Sequence, residues 1–356
     1  MLFRSGGQSC APQASPDSIM SAPQRAIVVI HPGGLGDVLL SLGALVALRT
    51  AFPHHELVLL AGLEVGTLLI HCGVIDHVWS LESSQMGAMF TGGEQLSGEQ
   101  HAVFGRCDLV VGWLSDHSGS LRRTMRELGV SRVILQSPAS IEGLHQSARF
   151  FQVLQREIRA ELRPSLDLHL PEQVRQSGVD ALRASGIGES CPLIVCHPGS
   201  GSVHKCVSPR IWGTLFQGCH ARQWLPVVLL GPADEQSASA IRELSMSELP
   251  VLRPASVTKL AGILSQAQGF IGHDSGVTHL AALLGVPTVA MFGPSDEQRW
   301  APEGPHVTVV RGGICACKGW DAVRDCREKP CLSIDPQEVL EALDRIEFRY
   351  PRVTNS

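Results

Sequence analysis

The chain has 356 residues, 44% hydrophobic and 18% charged, with one tyrosine and a formal net charge of −5. That length suits two domains, each with its own core, and the composition excludes a disordered chain. The acidic balance excludes the basic stripe with which a nucleic-acid binder releases counterions, and no apolar run reaches the roughly eighteen residues that span a bilayer.

Residues 1–24 are rich in Ser, Pro, Gln and Ala without a continuous apolar core. They read as a flexible tail and not as a secretory signal, which predicts a cytoplasmic protein. From there, short β-branched or Leu-rich runs alternate with helical patterns. Strands are predicted at 26–31, 57–61, 76–80, 108–113 and 131–136, then at 193–197, 225–230, 250–253, 268–272 and 286–292. This alternation predicts an α/β protein with two doubly wound parallel sheets, each covered by helices on both faces. The stretch 141–190 is mostly helical, with Pro164 and Pro171 marking breaks, so the boundary is expected near 165–172. The expected division is a tail over 1–24, one Rossmann-like domain over 25–168, a second over 169–335, and a terminal helix and tail over 336–356. The eleven cysteines are spread along the chain, and those in apolar contexts, such as Cys196 and Cys219, are expected to be small buried thiols.

Each half opens with a strand, a glycine turn and a helix. In the first, HPGGLGD (31–37) leads into a helix whose apolar face carries Val38, Leu39, Leu42, Leu45, Val46 and Leu48, ended by Phe52-Pro53. The turn of Gly33, Gly34 and Gly36 leaves the backbone free to approach a ligand. Its spacing is not that of a dinucleotide fingerprint. The acid about twenty residues on, Glu56, precedes the second strand, where no ribose is within reach. No Gly-Lys-Ser/Thr follows either turn, which excludes a nucleoside-triphosphate phosphate loop. Asp37, in the first helical turn, fits a cap that complements the helix dipole; the sharper alternative is a general base aimed into a cleft.

In the second half, HPGSGSVHK (197–205) offers backbone N–H groups, the hydroxyls of Ser200 and Ser202 and the ammonium of Lys205, ahead of a helix begun by Ser208-Pro209. That set suits a phosphate or diphosphate. GHDSGVTH (272–279) follows another strand and opens another helix, with Asp274, Ser275, Gly276 and His279 near its start. Two anion-suited helix starts in one domain favour a diphosphate, although Asp274 also fits an N-cap and His279 a packed core histidine. Pro294-Ser295-Asp296 is expected to line the same pocket, and Glu235, after Gly231-Pro232, is a weaker candidate for ribose hydroxyls. Cys315, Cys317, Cys326 and Cys331 form one local cluster whose spacing can hold zinc or iron, but the paired C-x2-C knuckles that mark such sites most strongly are absent.

Together these motifs resemble glycosyltransferase family 9, the heptosyltransferases of the lipopolysaccharide inner core. The resemblance runs from about residue 25 to 346 and rests on HPGGLGD, HPGSGSVHK, GHDSGVTHLAALLGVPTVAMFGPSD and the cysteine-rich stretch before Ile334-Asp335-Pro336. It implies a GT-B fold with the acceptor on the first domain and the nucleotide-sugar donor on the second. It also implies transfer of heptose from ADP-heptose with inversion, no cofactor and no catalytic metal. Asp37 is then the base, Lys205 with Ser200 and Ser202 contacts the donor phosphates, and Asp274, Ser275, Gly276 and His279 surround the diphosphate and ribose. The implied partners are ADP-heptose or a similar nucleotide-sugar and a glycolipid acceptor, with peripheral contact at the inner membrane and no nucleic acid. The acceptor is expected at loops 83–106 and 113–120. Departures from the family pattern, Gly33 and Gly34 in place of serines, His273 in place of Asn and the displaced Pro209, bear on the acceptor and not on the reaction type. The alternatives are a transferase or epimerase using another nucleotide-sugar, and a non-catalytic nucleotide-binding module.

Overall fold

A computed structural model describes residues 24–83, 87, 89, 96–137, 143–158, 167–188, 190–243 and 249–345. The predicted tail up to residue 23, the greater part of 84–95 in the expected acceptor loop, Pro164 and residues 346–356 lie outside them. Strands β1 (Ala26–Ile30), β2 (Glu56–Ala61), β3 (His77–Ser80), β4 (Cys107–Gly112) and β5 (Val133–Leu135) form the first sheet, in the order β3-β2-β1-β4-β5. The second holds β6 (Leu193–His197), β7 (Leu225–Leu229), β8 (Val251–Leu252), β9 (Gly269–His273), β10 (Thr288–Phe292) and β11 (Val307–Arg311), in the order β11-β10-β9-β6-β7-β8. Every pairing is parallel. Each sheet reverses its winding beside its first strand, between β1 and β4 and between β6 and β9. This is the two-sheet GT-B arrangement that the sequence predicts.

Three departures from the predicted elements have local causes. β11 is an eleventh strand that the sequence reading lacks. It is a mostly half-buried edge strand, and its short Val-Thr-Val-Val run is hidden between Pro302-Glu303-Gly304-Pro305 and Gly312-Gly313. β10 starts at Thr288 and not at 286, because the Val286 N–H closes the preceding helix on the Ala281 carbonyl at 3.0 Å and Gly285 turns the chain at φ 69°. The first helix is split into Leu35–Leu40 and Leu42–Ala51. At the joint, the Ser41 hydroxyl donates back to the Val38 carbonyl at 2.7 Å, a bond that competes with the regular helical ladder.

Alternation along β1 sorts the core. Ala26, Val28 and Ile30 pack with Val58, Leu60, Phe104 and Met125 on one face. Ile27 and Val29 face a larger cluster that runs on without a break into Val195, Val227, Leu260 and Phe270 of the second half. The two sheets thus share apolar packing and do not hang on a linker alone. The helix Leu63–His71 lies against Val257–Leu264, and the Glu64 carboxylate accepts the Val257 N–H at 2.9 Å. Opposite, the terminal helix Pro336–Arg345 sets Val339, Leu340 and Leu343 among Trp212, Leu215 and Phe216 of the helix Pro209–Ala221. Cys196 and Cys219 are fully buried, as expected. No helix among the described residues is long and apolar enough to cross a membrane.

The two halves also meet at their glycine turns. A Cβ on Gly36 would lie 3.2 Å from the Gly276 Cα, and one on Gly276 would lie 2.8 Å from the Gly36 nitrogen. Glycine at both positions lets the helix Leu35–Leu40 and the helix Gly276–Leu283 start almost backbone to backbone. Their starts therefore open on one shared cleft.

Candidate functional site

In open α/β sheets a ligand binds beyond the carboxyl ends of the strands, where the winding reverses. Here two such points face each other. The loops after β1, β6, β9 and β10 line a cleft of about 1010 Å³, whose walls include Gly34, Gly36, Asp37, Lys205, Asp274, Ser275, Gly276, His279, Ser295 and Arg299. The motifs that resemble one family, scattered along the sequence, converge on this one space.

The donor-side wall is built by hydrogen bonds between loops. The Lys205 ammonium meets the Asp274 carboxylate at 2.6 Å, a pair with side chains only 21% and 9% exposed. Ser200 donates to the Asp274 carbonyl at 2.8 Å, and the Ser202 hydroxyl accepts the His204 N–H at 3.3 Å. His273, fully buried, ties the whole HPGS loop down: Nε2 accepts the Val207 N–H at 3.0 Å and Nδ1 faces the Gly199 carbonyl at 3.3 Å. Such a ring works as a neutral imidazole with its proton on Nδ1, and burial lowers its pKa to about 4. Ser275 caps the helix Gly276–Leu283 by accepting the Thr278 N–H, and its hydroxyl also meets His197 Nδ1 at 3.3 Å. The other His197 nitrogen meets the buried Asp234 carboxylate at 3.0 Å. Burial opposes ionisation of Asp234, yet the His197 bond and the Gly231 N–H, at 2.6 Å, hold its pKa below the ordinary value.

Asp37 stands on the opposite wall. Its carboxylate accepts the Gly34 N–H at 3.2 Å, so it does serve the helix start. It also lines the cleft. Burial raises its pKa, while the Gly34 N–H and the charges of Lys205 and Arg299 pull the other way and Asp274 adds to the rise. A carboxylate poised upward in this way, facing a cationic donor wall, has the chemistry of a proton acceptor. Behind it, buried His31 accepts the Gly33 N–H on Nδ1 at 3.1 Å and packs against Trp113 and Phe150.

The structure brings Asp37, Lys205, Asp274, Ser275, Gly276, His279 and the turn glycines Gly34 and Gly36 together, with Gly33 beside them. Ser200 donates its hydroxyl across to the DSG loop at Asp274, and Ser202 uses its hydroxyl within its own loop. Glu235 lies elsewhere: its side chain is 69% exposed, 3.5 Å from Arg253, and the acid that turns inward at this strand end is Asp234. Pro294, Ser295 and Asp296 line the cleft as expected, and the buried Ser295 hydroxyl has no partner among the described residues. The sequence reading missed Trp320, whose ring centroid is 5.6 Å from the Lys205 ammonium, and Arg299, which bonds Gln146 at 3.3 Å and stacks on Trp300. It also missed Arg149. That guanidinium is 6% exposed and donates to the Ser137 carbonyl at 2.6 Å, and its Nε and Nη1 have no partner among the described residues. None of the three carried a local signal: Arg149 lies near the start of the helix Gln146–Ile158, Arg299 in the short helix Glu297–Trp300 and Trp320 in the helix Gly319–Asp325.

His31, His273 and His279 are each pushed down to about 4, burial being the main cause in all three. In the unfolded chain they regain their ordinary value of 6.5, so below that pH the unfolded state binds more protons. Stability is then complete above pH 6.5 and is lost as the pH falls from there towards about 4. Urea titrations across this window are expected to give a falling unfolding free energy, with proton uptake on unfolding approaching three. A flat profile would show that these rings are not buried neutral.

The comparisons bear on the family and the fold. The family described as "Glycosyltransferase family 9 (heptosyltransferase)" matches residues 115–331, more than half of the chain. Lipopolysaccharide heptosyltransferase 1 of Pseudomonas aeruginosa is 30% identical over 132 residues, and the match spans only 37% of either chain. In fold, the chain is similar to a family 9 glycosyl transferase from Veillonella parvula, with a TM-score of 0.74 at 18% identity over 91% of this chain and 98% of that one. It is likewise similar to the ADP-heptose lipopolysaccharide heptosyltransferase II of E. coli, with a TM-score of 0.70 at 17% identity over 90% and 97%. With two parallel sheets closing on one cleft and the family's motifs gathered in its walls, the chain belongs to glycosyltransferase family 9, the heptosyltransferases.

Proposed function

We propose that this protein transfers a heptose from ADP-heptose to a hydroxyl of a lipopolysaccharide inner-core or related cell-surface glycan acceptor, with inversion at the anomeric carbon. The observation that carries the reading is the placement of a carboxylate, Asp37, and a phosphate-suited cation, Lys205, in the walls of one cleft. Binding alone needs no half-buried acid opposite the phosphate loops, so the arrangement favours an enzyme over a binding module.

In the proposed reaction the nucleotide diphosphate lies against Lys205 and the amides of Ser275 and Gly276, which stabilise negative charge as the ADP leaves. Asp37 takes the proton of the acceptor hydroxyl as that oxygen attacks from the opposite face, so a single displacement inverts the centre. Every group in this sequence of events comes from the chain itself, and none of these steps calls on a metal or cofactor. Arg299, which lines the cleft and whose charge acts on Asp37, suits an acceptor that carries negative charge. A heptosyltransferase named for lipopolysaccharide works on a lipid-borne glycan, which supports a cytoplasmic site of action at the inner leaflet.

The deciding experiment is mass-spectrometric detection of a heptose-sized increment on extracted core glycolipid incubated with protein and ADP-heptose, with UDP- and GDP-sugars in parallel. Transfer only from a UDP- or GDP-sugar would replace the donor assignment. No transfer from any donor, with ADP still binding, would overturn the enzymatic reading.

A further inference from the structure

One cluster of reactive side chains lies outside the cleft. The sulfur atoms of Cys315, Cys317 and Cys326 all lie within 4.8 Å of one another, with Cys315 and Cys317 at 3.1 Å. The thiol of Cys331 also reaches that of Cys315. Four sulfur ligands around one tetrahedral zinc or ferrous ion, at about 2.3 Å each, sit roughly 3.8 Å apart, so Cys315, Cys317 and Cys326 already stand near ligand-shell spacing, with Cys331 reaching the group through Cys315. The Lys329 N–H points at the Cys326 sulfur at 3.4 Å, the type of outer hydrogen bond that orients a metal-bound thiolate.

The surrounding segment needs such a fastening. Over residues 312–330 Val323 is the single buried side chain among them, Ile314 is 97% exposed, and the seven-residue helix Gly319–Asp325 contributes little to any core. Backbone bonds at the base, Gly313 N–H to the Pro330 carbonyl at 2.9 Å and Gly312 N–H to the Cys331 carbonyl at 3.3 Å, close the loop but do not fill it. A stretch that buries so little apolar surface is usually held by disulfides or a metal. The loop also reaches the donor wall, because it carries Trp320 over Lys205 and sets the Lys329 ammonium 3.0 Å from His204 Nδ1.

We propose that Cys315, Cys317, Cys326 and Cys331 bind one zinc or ferrous ion as thiolates, a structural centre that fastens the loop carrying Trp320 against the donor side of the cleft. Binding releases the thiol protons and oxidises nothing. The inference is independent of the donor and the acceptor.

The test uses the full chain, purified without chelator from zinc- and iron-supplemented culture. Elemental analysis is expected to find about one ion per chain and to tell zinc from iron. Cobalt exchanged into the site is expected to give sulfur-to-metal charge-transfer bands and the intense visible bands of a tetrahedral thiolate ion. Cys326→Ser/Cys331→Ser is expected to lose both the metal and those bands. Should that variant fail to fold, chelation of the wild-type protein provides the second measurement, with altered Trp320 fluorescence expected as the metal leaves. Metal-free protein that gives no cobalt-thiolate bands would overturn the proposal. So would a Cys315–Cys317 disulfide found by peptide mass mapping of protein prepared without oxygen.

Discussion

Asp37→Asn is expected to cut turnover roughly a hundred- to ten-thousand-fold, the usual worth of one general acid/base group, while leaving ADP affinity as it was. Asparagine keeps the acceptor for the Gly34 N–H, so the helix start survives and only the proton-accepting capacity is lost. Two further readouts separate a base from a cap. First, because burial holds the carboxyl pKa above its ordinary value, wild-type turnover is expected to fall as the pH drops through that raised value. The residual activity of the variant is expected not to follow that limb. Second, a carboxyl raised on folding binds more protons folded than unfolded, so its ionisation costs stability as the pH rises through the folded value. Asp37→Asn is therefore expected to melt no lower than wild type at neutral pH, and any gain should vanish in acid. A variant that turns over normally, or that melts well below wild type, would reduce Asp37 to a cap. Calorimetric ADP titration, steady-state kinetics against pH and thermal melts supply these measurements.

Much of this site was legible from local pattern. Strand, glycine turn and helix mark a ligand-facing strand end wherever they occur, and the chain carries the pattern after β1, after β6 and after β9. The residue types at those ends also limited the chemistry, an acid in one turn and a cation with hydroxyls in the other. The two halves use similar words differently, however. His31 turns inward against Trp113 and Phe150, while His197 links Asp234 to Ser275. Nothing in His-Pro-Gly distinguishes these roles, because each depends on which strand end lies alongside.

What remained hidden was long-range. The backbone contact between Gly36 and Gly276 joins residues far apart in sequence, and it exists only because a shared apolar cluster holds the two sheets together. Trp320, Arg299 and Arg149 reach the cleft region from segments with no ligand-binding signature of their own. In Asp234-Glu235 the sequence offered two adjacent acids. Tertiary packing assigned them, since Asp234 accepts the Gly231 N–H across the turn and pairs with buried His197, leaving Glu235 to begin the helix in solvent. β11 was obscured because an edge strand buries too little to need a strong pattern.

Lys205→Ala is expected to weaken ADP and nucleotide-sugar binding about 10- to 150-fold, the equivalent of about 1.5–3 kcal/mol for a hydrogen bond to a charged group, and to lower kcat as well, because the same ammonium meets the charge that develops on the leaving diphosphate. Part of that loss is not the lost phosphate contact. The lysine neutralises Asp274, whose side chain is 9% exposed and 2.6 Å away, so its removal strands a carboxylate at the place where the diphosphate must lie. Coulomb repulsion between them adds to the penalty. It follows that Asp274→Asn, made in the Lys205→Ala background, should restore some of the affinity, although the same substitution in wild type removes a partner and should not improve it. The interaction energy from this double-mutant cycle, read by calorimetry with ADP, is therefore expected to be large and of the sign that marks coupling. Strictly additive losses would mean that lysine and aspartate act on the ligand separately. The ion pair seen across the HPGS and DSG loops would then have no part in building the donor site, and Lys205 would contribute only as a single charge.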